Sequence, residues 1–289
     1  MLKILVTGSN GQLGNQLKEI AGLYNNYNFL FTDLPELDIT SEKMVEKILS
    51  EFQPDWIINC AAYTAVDKAE TDQTAALKLN AEAPALLARL GAVHNTRMIH
   101  ISTDYVFDGK NYRPYTEADT KNPNGIYATT KALGEDLVME ANTKAVILRT
   151  SWLYSVYGHN FMKTVLRLAS EKGSMRIVCD QIGTPTWTGD LAAGIMTAID
   201  QNIGAGIYHF SNEGVSSWYD FAKAIVEIQD IRCMVLPINT DQYPLPAARP
   251  FYSVLDKSLF KATTGISIPH WHDSLKQCLN QLNEQGRAK

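Results

Sequence analysis

The chain has 289 residues, of which 45% are hydrophobic and 20% charged, and a net charge of -5. That is enough apolar material to bury a sizeable core, and the dispersed basic residues argue against nucleic acid or an anionic membrane as the main partner. Cys60, Cys179, Cys233 and Cys278 lie far apart without paired metal spacing, as expected of a reduced chain, and read as structural. The apolar run Ile4-Leu5-Val6 is a strand's length, too short for a signal segment, and no later run reaches membrane-spanning length, so a cytoplasmic protein is expected.

Short β-branched runs alternate with helical patterns, the signature of a parallel sheet with helices on both faces. A strand from Lys3 to Thr7 runs into Gly8-Ser9-Asn10-Gly11-Gln12-Leu13-Gly14, and a helix from Gln12 to Tyr24 follows. With no side chains at Gly8, Gly11 and Gly14, backbone amides can approach a pyrophosphate at the positive end of the helix, although G-x-x-G-x-x-G differs from the G-x-G-x-x-G fingerprint. A second strand, Asn28 to Thr32, ends at Asp33, which could accept from the adenosine ribose hydroxyls and repel a 2′-phosphate, or serve as a turn aspartate before Leu34-Pro35. In Asp38-Ile39-Thr40, Asp38 could hold the adenine amino group, while Thr40 or Ser41 could cap a helix from Ser41 to Glu51.

The third strand, Trp56 to Asn59, opens Asn59-Cys60-Ala61-Ala62-Tyr63-Thr64-Ala65-Val66-Asp67. Its small residues fit the wall of a flat cofactor or a tightly packed strand-to-helix junction. After a helix from Thr74 to His94, a strand from Met98 to Ser102 ends in Ser102-Thr103-Asp104, and the next helix is expected over Tyr127 to Ala141. Residues four apart share one helical face, so Tyr127 and Lys131 can serve one site. A phenol's ordinary pKa is about 10, and a neighbouring ammonium is expected to lower it, making Tyr127 a candidate acid for a carbonyl that Thr103 Oγ1 could orient. Past a fifth strand, Ala145 to Leu148, Trp152 could stack on a flat or sugar ring or belong to a core.

From Asn160 the alternation loosens. A helix to about Lys172, a strand near Arg176 to Val178, a helix from about Gly189, a strand from Ile207 to Phe210 and a helix from Trp218 to Ile228 precede a proline-punctuated stretch, Pro237 to Pro250. The expected division is residues 1–150 for the dinucleotide and 151–289 mainly for substrate, with a soft boundary and later segments returning to the sheet. His270-x-His272 could present two imidazoles from a strand but lacks a nearby carboxylate or cysteine, so no metal site is expected. No isolated carboxylate pair of the kind glycosidases need is present. Arg249, Lys163 and Arg167 are candidates for a diphosphate.

These stretches resemble the extended short-chain dehydrogenase/reductase superfamily and, within it, the dTDP-4-dehydrorhamnose reductase family. The resemblance covers nearly the whole chain and rests on Gly8 to Gly14, Asn59 to Glu70 (NCAAYTAVDKAE), Ser102 to Gly109 (STDYVFDG), Asn122 to Lys131 (NPNGIYATTK), Arg149 to Tyr154 (RTSWLY), Asn160-Phe161 and Asp180 to Thr186 (DQIGTPT). It implies an α/β, Rossmann-like doubly wound parallel sheet with a smaller C-terminal α/β substrate lobe. It also implies reduction of the 4-keto group of dTDP-4-dehydro-β-L-rhamnose by NADPH or NADH, the last step toward a rhamnose donor for surface polysaccharide. Carried over by position, Thr103, Tyr127 and Lys131 form the catalytic set. Gly8, Gly11, Gln12, Leu13, Gly14, Asp33, Asp38, Ile39, Ala62, Tyr63, Thr64, Tyr127 and Lys131 contact the cofactor, and Thr103, Asp104 and Trp152 the dTDP-sugar. A homodimer is compatible, but Gln16 stands where some members have a glutamate linked to a metal at a dimer contact, and Cys60 where relatives often have alanine.

Three rival readings share this scaffold: a regulatory subunit similar to the β subunit of methionine adenosyltransferase, another nucleotide-sugar epimerase or reductase, and a passive dinucleotide sensor. The intact Thr103, Tyr127 and Lys131 speak against the first.

Overall fold

Strands whose residues are buried on both faces read as unbroken apolar runs, and Trp56–Asn59 and Val146–Thr150 are buried at every position. In the computed structural model, which describes residues 1–287, these are the third and fifth strands of a parallel sheet. Its strands β1 (Leu2–Thr7), β2 (Tyr27–Thr32), β3 (Trp56–Asn59), β4 (Arg97–Thr103) and β5 (Val146–Thr150) alternate with α1 (Gln12–Ile20), α2 (Glu42–Phe52), α3 (Val66–Ala69), α4 (Gln73–Leu77), α5 (Ala83–Val93) and α6 (Ile126–Ala141). Next come β6 (Leu153–Tyr154), α7 (Phe161–Glu171), β7 (Ser174–Val178), β8 (Ile182–Gly183), β9 (Thr186–Trp187), α8 (Thr188–Asp200) and β10 (Gly206–His209). The chain finishes with β11 (Ser216–Ser217), α9 (Trp218–Ile228), β12 (Met234–Ile238), α10 (Ser258–Thr264) and α11 (Trp271–Arg287).

The six-stranded sheet has the order β2-β1-β3-β4-β5-β10, with every pairing parallel. The architecture is therefore Rossmann-like, and the later half of the chain supplies the last strand. Strand order reverses between β1 and β3, which opens a crevice at their carboxyl ends where ligands bind in sheets of this kind. Alternate side chains point to opposite faces. Ile4, Val6, Ile58 and Leu148 pack under Leu13 and Leu17 of α1 and Leu191, Ile195 and Ile199 of α8. Leu5, Ile57, Met98 and Ile147 pack against Val45 and Leu49 of α2, Leu87 of α5 and Val138 of α6. Each fully buried aliphatic side chain stabilises the fold by about 1.5–3 kcal/mol relative to exposure. A further core joins Tyr154, Met162, Val165, Phe221, Ile225, Val235, Leu275 and Leu279.

Several elements differ from the sequence expectations. The first helix stops at Ile20, and Ala21–Leu23 tighten into a 3₁₀ turn. The helix expected over Thr74 to His94 widens into a π turn at Lys78–Glu82, where the Asn80 side chain leaves to bind the Tyr63 backbone. α6 approaches so closely that a Cβ on Gly134 would lie 2.0 Å from Asn80 O. β12, α10 and α11 have no counterpart in the expectations. Pro237 reads as a strand breaker, yet β12 pairs only with β7, an edge position that tolerates the missing N–H. His270 forms an isolated bridge with Glu213 and His272 opens α11, so the two imidazoles do not project from one strand. Among the described residues no helix is long and apolar enough to cross a membrane.

Candidate active site

The glycine loop divides its three glycines between two jobs. Gly8 has φ +66°, and a Cβ there would lie 2.5 Å from Ala61 N, because the loop after β1 rests on the loop after β3. A Cβ on Gly14 would lie 2.5 Å from Gly8 O, because α1 starts directly against the turn. Gly11 is exposed, and its Cβ would meet nothing nearer than Gly8 O at 3.2 Å. The fold itself therefore requires Gly8 and Gly14, whereas bareness at Gly11 serves something approaching from outside. Among the described residues no side chain caps α1 and no acidic residue sits in its first turn. Its leading amides are thus a ready anion site, and a pyrophosphate fits the residues present.

The neighbouring candidates are held by the protein itself. Asp33 Oδ2 accepts from Asn10 N at 2.8 Å and Oδ1 from Leu34 N at 2.9 Å, so this carboxylate pins the glycine loop. Asp38 Oδ1 accepts from Thr40 N and Thr40 Oγ1, and that hydroxyl holds the carboxyl below its ordinary range. Leu13 and Ile39 are core side chains, leaving only their backbones for a ligand. Gln12 Oε1 accepts from Asn160 Nδ2 at 3.0 Å and Ser155 Oγ at 3.2 Å, tying the loop to the segment that leads into α7. Ala62, Tyr63 and Thr64 follow β3, and Asn80 fixes this stretch by accepting from Tyr63 N at 2.8 Å and donating to Tyr63 O at 3.1 Å. Burial raises the Cys60 thiol's pKa, in keeping with an inert structural cysteine.

Thr103 ends β4, and Tyr127 and Lys131 lie on the first turns of α6. Gly125, φ +88°, precedes the helix, and Glu70 Oε1 accepts from Ile126 N, its first residue, at 2.9 Å. The Tyr127 ring meets Tyr105 edge-on at 5.7 Å. Burial pushes the phenol up to about 12, while the Thr103 hydroxyl beside it draws it back and Asp104 adds to the rise. Lys131 is itself only 2% exposed, and burial lowers its ammonium to about 8 against the opposing pull of Glu135. Its Nζ donates to Ile101 O at 2.6 Å and sits 3.3 Å from His100 Nε2. The expected tuning is thus corrected: Thr103 lowers the phenol, and the Lys131 ammonium is engaged by β4. A high phenol pKa keeps Tyr127 protonated at neutral pH, the state a proton donor needs.

Thr103 Oγ1 donates to Asp104 Oδ1 at 3.0 Å and accepts from Tyr105 N at 3.2 Å. Asp104 is raised to about 6 by burial; Ser253 lies near enough to oppose the rise, yet Asp104 Oδ2 and Ser253 Oγ are both buried without a hydrogen-bond partner among the described residues. Beneath this layer Arg149 clasps Glu135 through 2.9 and 2.8 Å bonds, and Ser102 Oγ donates to the same carboxylate at 2.5 Å. Arg149 is 1% exposed and Glu135 fully buried, so the Arg149 charge depends on Glu135, which Lys121 also approaches, at 3.5 Å.

Trp152 takes φ +47° and stacks on Trp218 at 3.6 Å and 6°, and Phe161 meets Trp218 tilted at 4.7 Å. One indole face is therefore already covered, and the ring belongs to an aromatic cluster rather than standing free at a rim. Of the diphosphate candidates, Arg249 pairs with Asp67 at 2.7 Å, Arg167 with Glu171 at 3.0 Å, and Lys163 Nζ donates to Gly158 O. Gln16 is 3% exposed and faces Thr188 of α8 in the same chain. Among the described residues no three His, Cys, Asp or Glu side chains converge as metal ligands.

Sequence reasoning missed the supporting residues: Asn59, Glu70, Asn80, His100, Glu135 and Arg149. A histidine and an arginine inside the apolar runs of β4 and β5 were the available signals. Residues 2–284 match the sequence family described as "RmlD substrate binding domain". The dTDP-4-dehydrorhamnose reductase of Aggregatibacter actinomycetemcomitans is 40% identical over 96% of this chain and 98% of its own length. The crystal structure of a dTDP-4-dehydrorhamnose reductase from Clostridium acetobutylicum superposes with a TM-score of 0.94 at 42% identity, covering 98% of this chain and 100% of that one. That of the Bacillus anthracis dTDP-4-dehydrorhamnose reductase, in complex with NADP, gives 0.94 at 38% identity, covering 97% and 100%. With glycine loop, Thr103, Tyr127 and Lys131 arrayed at the strand ends, and with likeness over nearly its full length, the chain belongs to the RmlD substrate-binding domain family.

Proposed function

We propose that this chain reduces the 4-keto group of dTDP-4-dehydro-β-L-rhamnose to dTDP-β-L-rhamnose, with NADPH or NADH, in nucleotide-sugar synthesis for surface polysaccharide. In this reading residues 1–150 hold the dinucleotide and residues 151–289 mainly hold the sugar nucleotide. The observation that carries it is that Tyr127, beside the Thr103 hydroxyl that ends β4, and Lys131, bonded to Ile101 O of the same strand, both lie in the opening turns of α6, with Lys131 linked through His100 and Asn59 to the end of β1, where the glycine loop begins. The full-length likeness to named dTDP-4-dehydrorhamnose reductases supports the substrate.

When bound, the nicotinamide supplies the hydride. The glycine-loop amides would hold its pyrophosphate, Asp33 the adenosine ribose, Asp38 and Ile39 the adenine side, and Ala62, Tyr63 and Thr64 the opposite wall. Tyr127 gives its phenolic proton to the carbonyl oxygen as negative charge develops there. Thr103 orients that oxygen, and Lys131 would hold the nicotinamide ribose hydroxyls. Asp104 faces the sugar, and Trp152 lines its pocket through the part of the ring that Trp218 and Gly183 leave uncovered. The reading carries with it a cytoplasmic enzyme without nucleic-acid or membrane partners. A homodimer comes as an expectation of the family, with Gln16 too buried to form a metal-linked contact.

The test is to mix the purified protein with each reduced cofactor and the 4-keto deoxythymidine sugar and to identify the product by NMR. Formation of dTDP-β-L-rhamnose supports the reading; an epimerised ketone, or no cofactor oxidation, overturns it.

A further inference from the structure

A polar thread runs through the otherwise apolar centre of the sheet. Thr7 Oγ1 donates to Asn59 Oδ1 at 2.7 Å, and Ala61 N donates to the same oxygen at 3.2 Å. Asn59 Nδ2 lies 3.0 Å from His100 Nδ1, and His100 Nε2 lies 3.3 Å from Lys131 Nζ. Thr7, Asn59, His100 and Lys131 are each at most 2% exposed, so water cannot rearrange these partners.

The two donors on Asn59 Oδ1 fix which way its amide points, so its NH₂ faces the imidazole. His100 Nδ1 must then accept, and a neutral imidazole that accepts at Nδ1 carries its proton on Nε2. That proton points at Lys131. An ammonium has no lone pair with which to accept it, whereas a neutral amine does. Lys131 meanwhile spends one of its own hydrogens on Ile101 O.

We propose that His100 is a positioning residue for Lys131: its Nε2–H opposes the ammonium and supplies a hydrogen bond to the neutral amine, and so shifts the proton equilibrium of Lys131 toward the neutral form. The inference rests on the reading of Lys131 as part of the catalytic set, acting as the ammonium. Its effect runs against Glu135, one turn further along α6, whose own charge is held by Arg149 and Ser102. Lys121 Nζ, 3.5 Å from Glu135 Oε2, adds to that hold, and Ile101 O on β4 takes a hydrogen bond from Lys131. Burial holds His100 well below its ordinary range and Lys131 at about 8, in the same sense. The setting of the ring also reaches the cofactor loop, since Ala61 N, which orients Asn59, is the atom against which Gly8 packs.

The experiment is nitrogen-15 long-range correlation NMR of the imidazoles in the intact protein, with His100 assigned from the backbone, together with pH profiles of kcat/KM for the native protein and His100→Asn. Asn keeps an acceptor for Asn59 and removes the hydrogen facing Lys131. The expected results are a neutral, Nε2-protonated ring across neutral pH, and a basic limb displaced upward by about one pH unit in His100→Asn, a tenfold change in that proton equilibrium. A ring protonated at Nδ1 or at both nitrogens, or an unmoved limb in a folded variant, would overturn the proposal. Should His100→Asn fail to fold, the ring spectrum alone decides. Absence of ketone reduction by the native protein would sink the reductase reading, while the ring spectrum would still judge this inference.

Discussion

The two walls of the crevice are built on opposite principles. On the β1 side the working groups are backbone amides, exposed by glycines and aimed by the start of α1. On the β4 side they are side chains on a strand end and a helix, and each leans on a buried polar partner. A backbone site needs only that nothing be in the way. A side-chain site needs a supporting layer, and that layer is where charge is buried and where substitution costs most.

The sharpest way to break the comparison is Tyr127→Phe. It should lower kcat by about 10²- to 10⁴-fold, the usual worth of a general acid, while cofactor affinity measured by calorimetry stays unchanged. A variant that turned over normally would remove Tyr127 from the chemistry. Next in size is Arg149→Leu, which leaves the buried Glu135 with only the Ser102 hydroxyl and the Lys121 ammonium, 3.5 Å away, and should cost about 3 kcal/mol in denaturant unfolding. A loss below about 1 kcal/mol would mean the supporting layer is not what holds the β4 side together.

The glycines permit a direct contrast on the other wall. Gly14→Ala should lose about 1–3 kcal/mol of stability because its Cβ meets Gly8 O and Ser9 Cα at 2.5 Å. Gly11→Ala should fold as well as the native chain yet bind dinucleotide about tenfold more weakly, near 1.4 kcal/mol. If Gly11→Ala bound cofactor normally, the outward face of the loop would not be the anion site.

The pH profile separates the two titrating groups of the β4 side. With Lys131 lowered to about 8 and Tyr127 raised to about 12, kcat/KM for ketone reduction should fall above pH 8, as the ammonium is lost while the phenol is still protonated. A profile flat to pH 10 would contradict the role given to Lys131. The smallest expected effect is that of Trp152→Ala, a rise in substrate KM of about fivefold with kcat nearly kept, on the scale of an aromatic contact. An unchanged KM would leave Trp152 to its stack with Trp218 alone.

What the sequence revealed follows the same division. The glycine spacing, the strand before it and the Tyr127-Lys131 interval are local patterns, and local patterns survive translation into structure. Asn59, His100 and Arg149 were invisible as a group because their side-chain partners lie 41 and 52 residues away in the chain for Asn59, 31 and 41 for His100, and 14 and 60 for Arg149. The C-terminal elements failed for another reason. Trp271, Leu275, Cys278 and Leu279 do follow a helical period, but polar residues surround them and the stripe is narrow. β12 was hidden by Pro237, whose breaker signal an edge position overrides. The idea that Lys131 tunes the phenol followed from helical spacing alone, which says that two residues share a face and not which strand atoms have already claimed one of them.

The most direct measurement is isotopic. Supplied with a reduced cofactor carrying deuterium at the transferable position, the protein should deliver that deuterium to C4 of the sugar, giving labelled dTDP-β-L-rhamnose by NMR, and Tyr127→Phe should slow the transfer. Oxidised cofactor without label in the sugar, or a product changed in configuration but unlabelled, would contradict reduction of a 4-keto sugar nucleotide at this site.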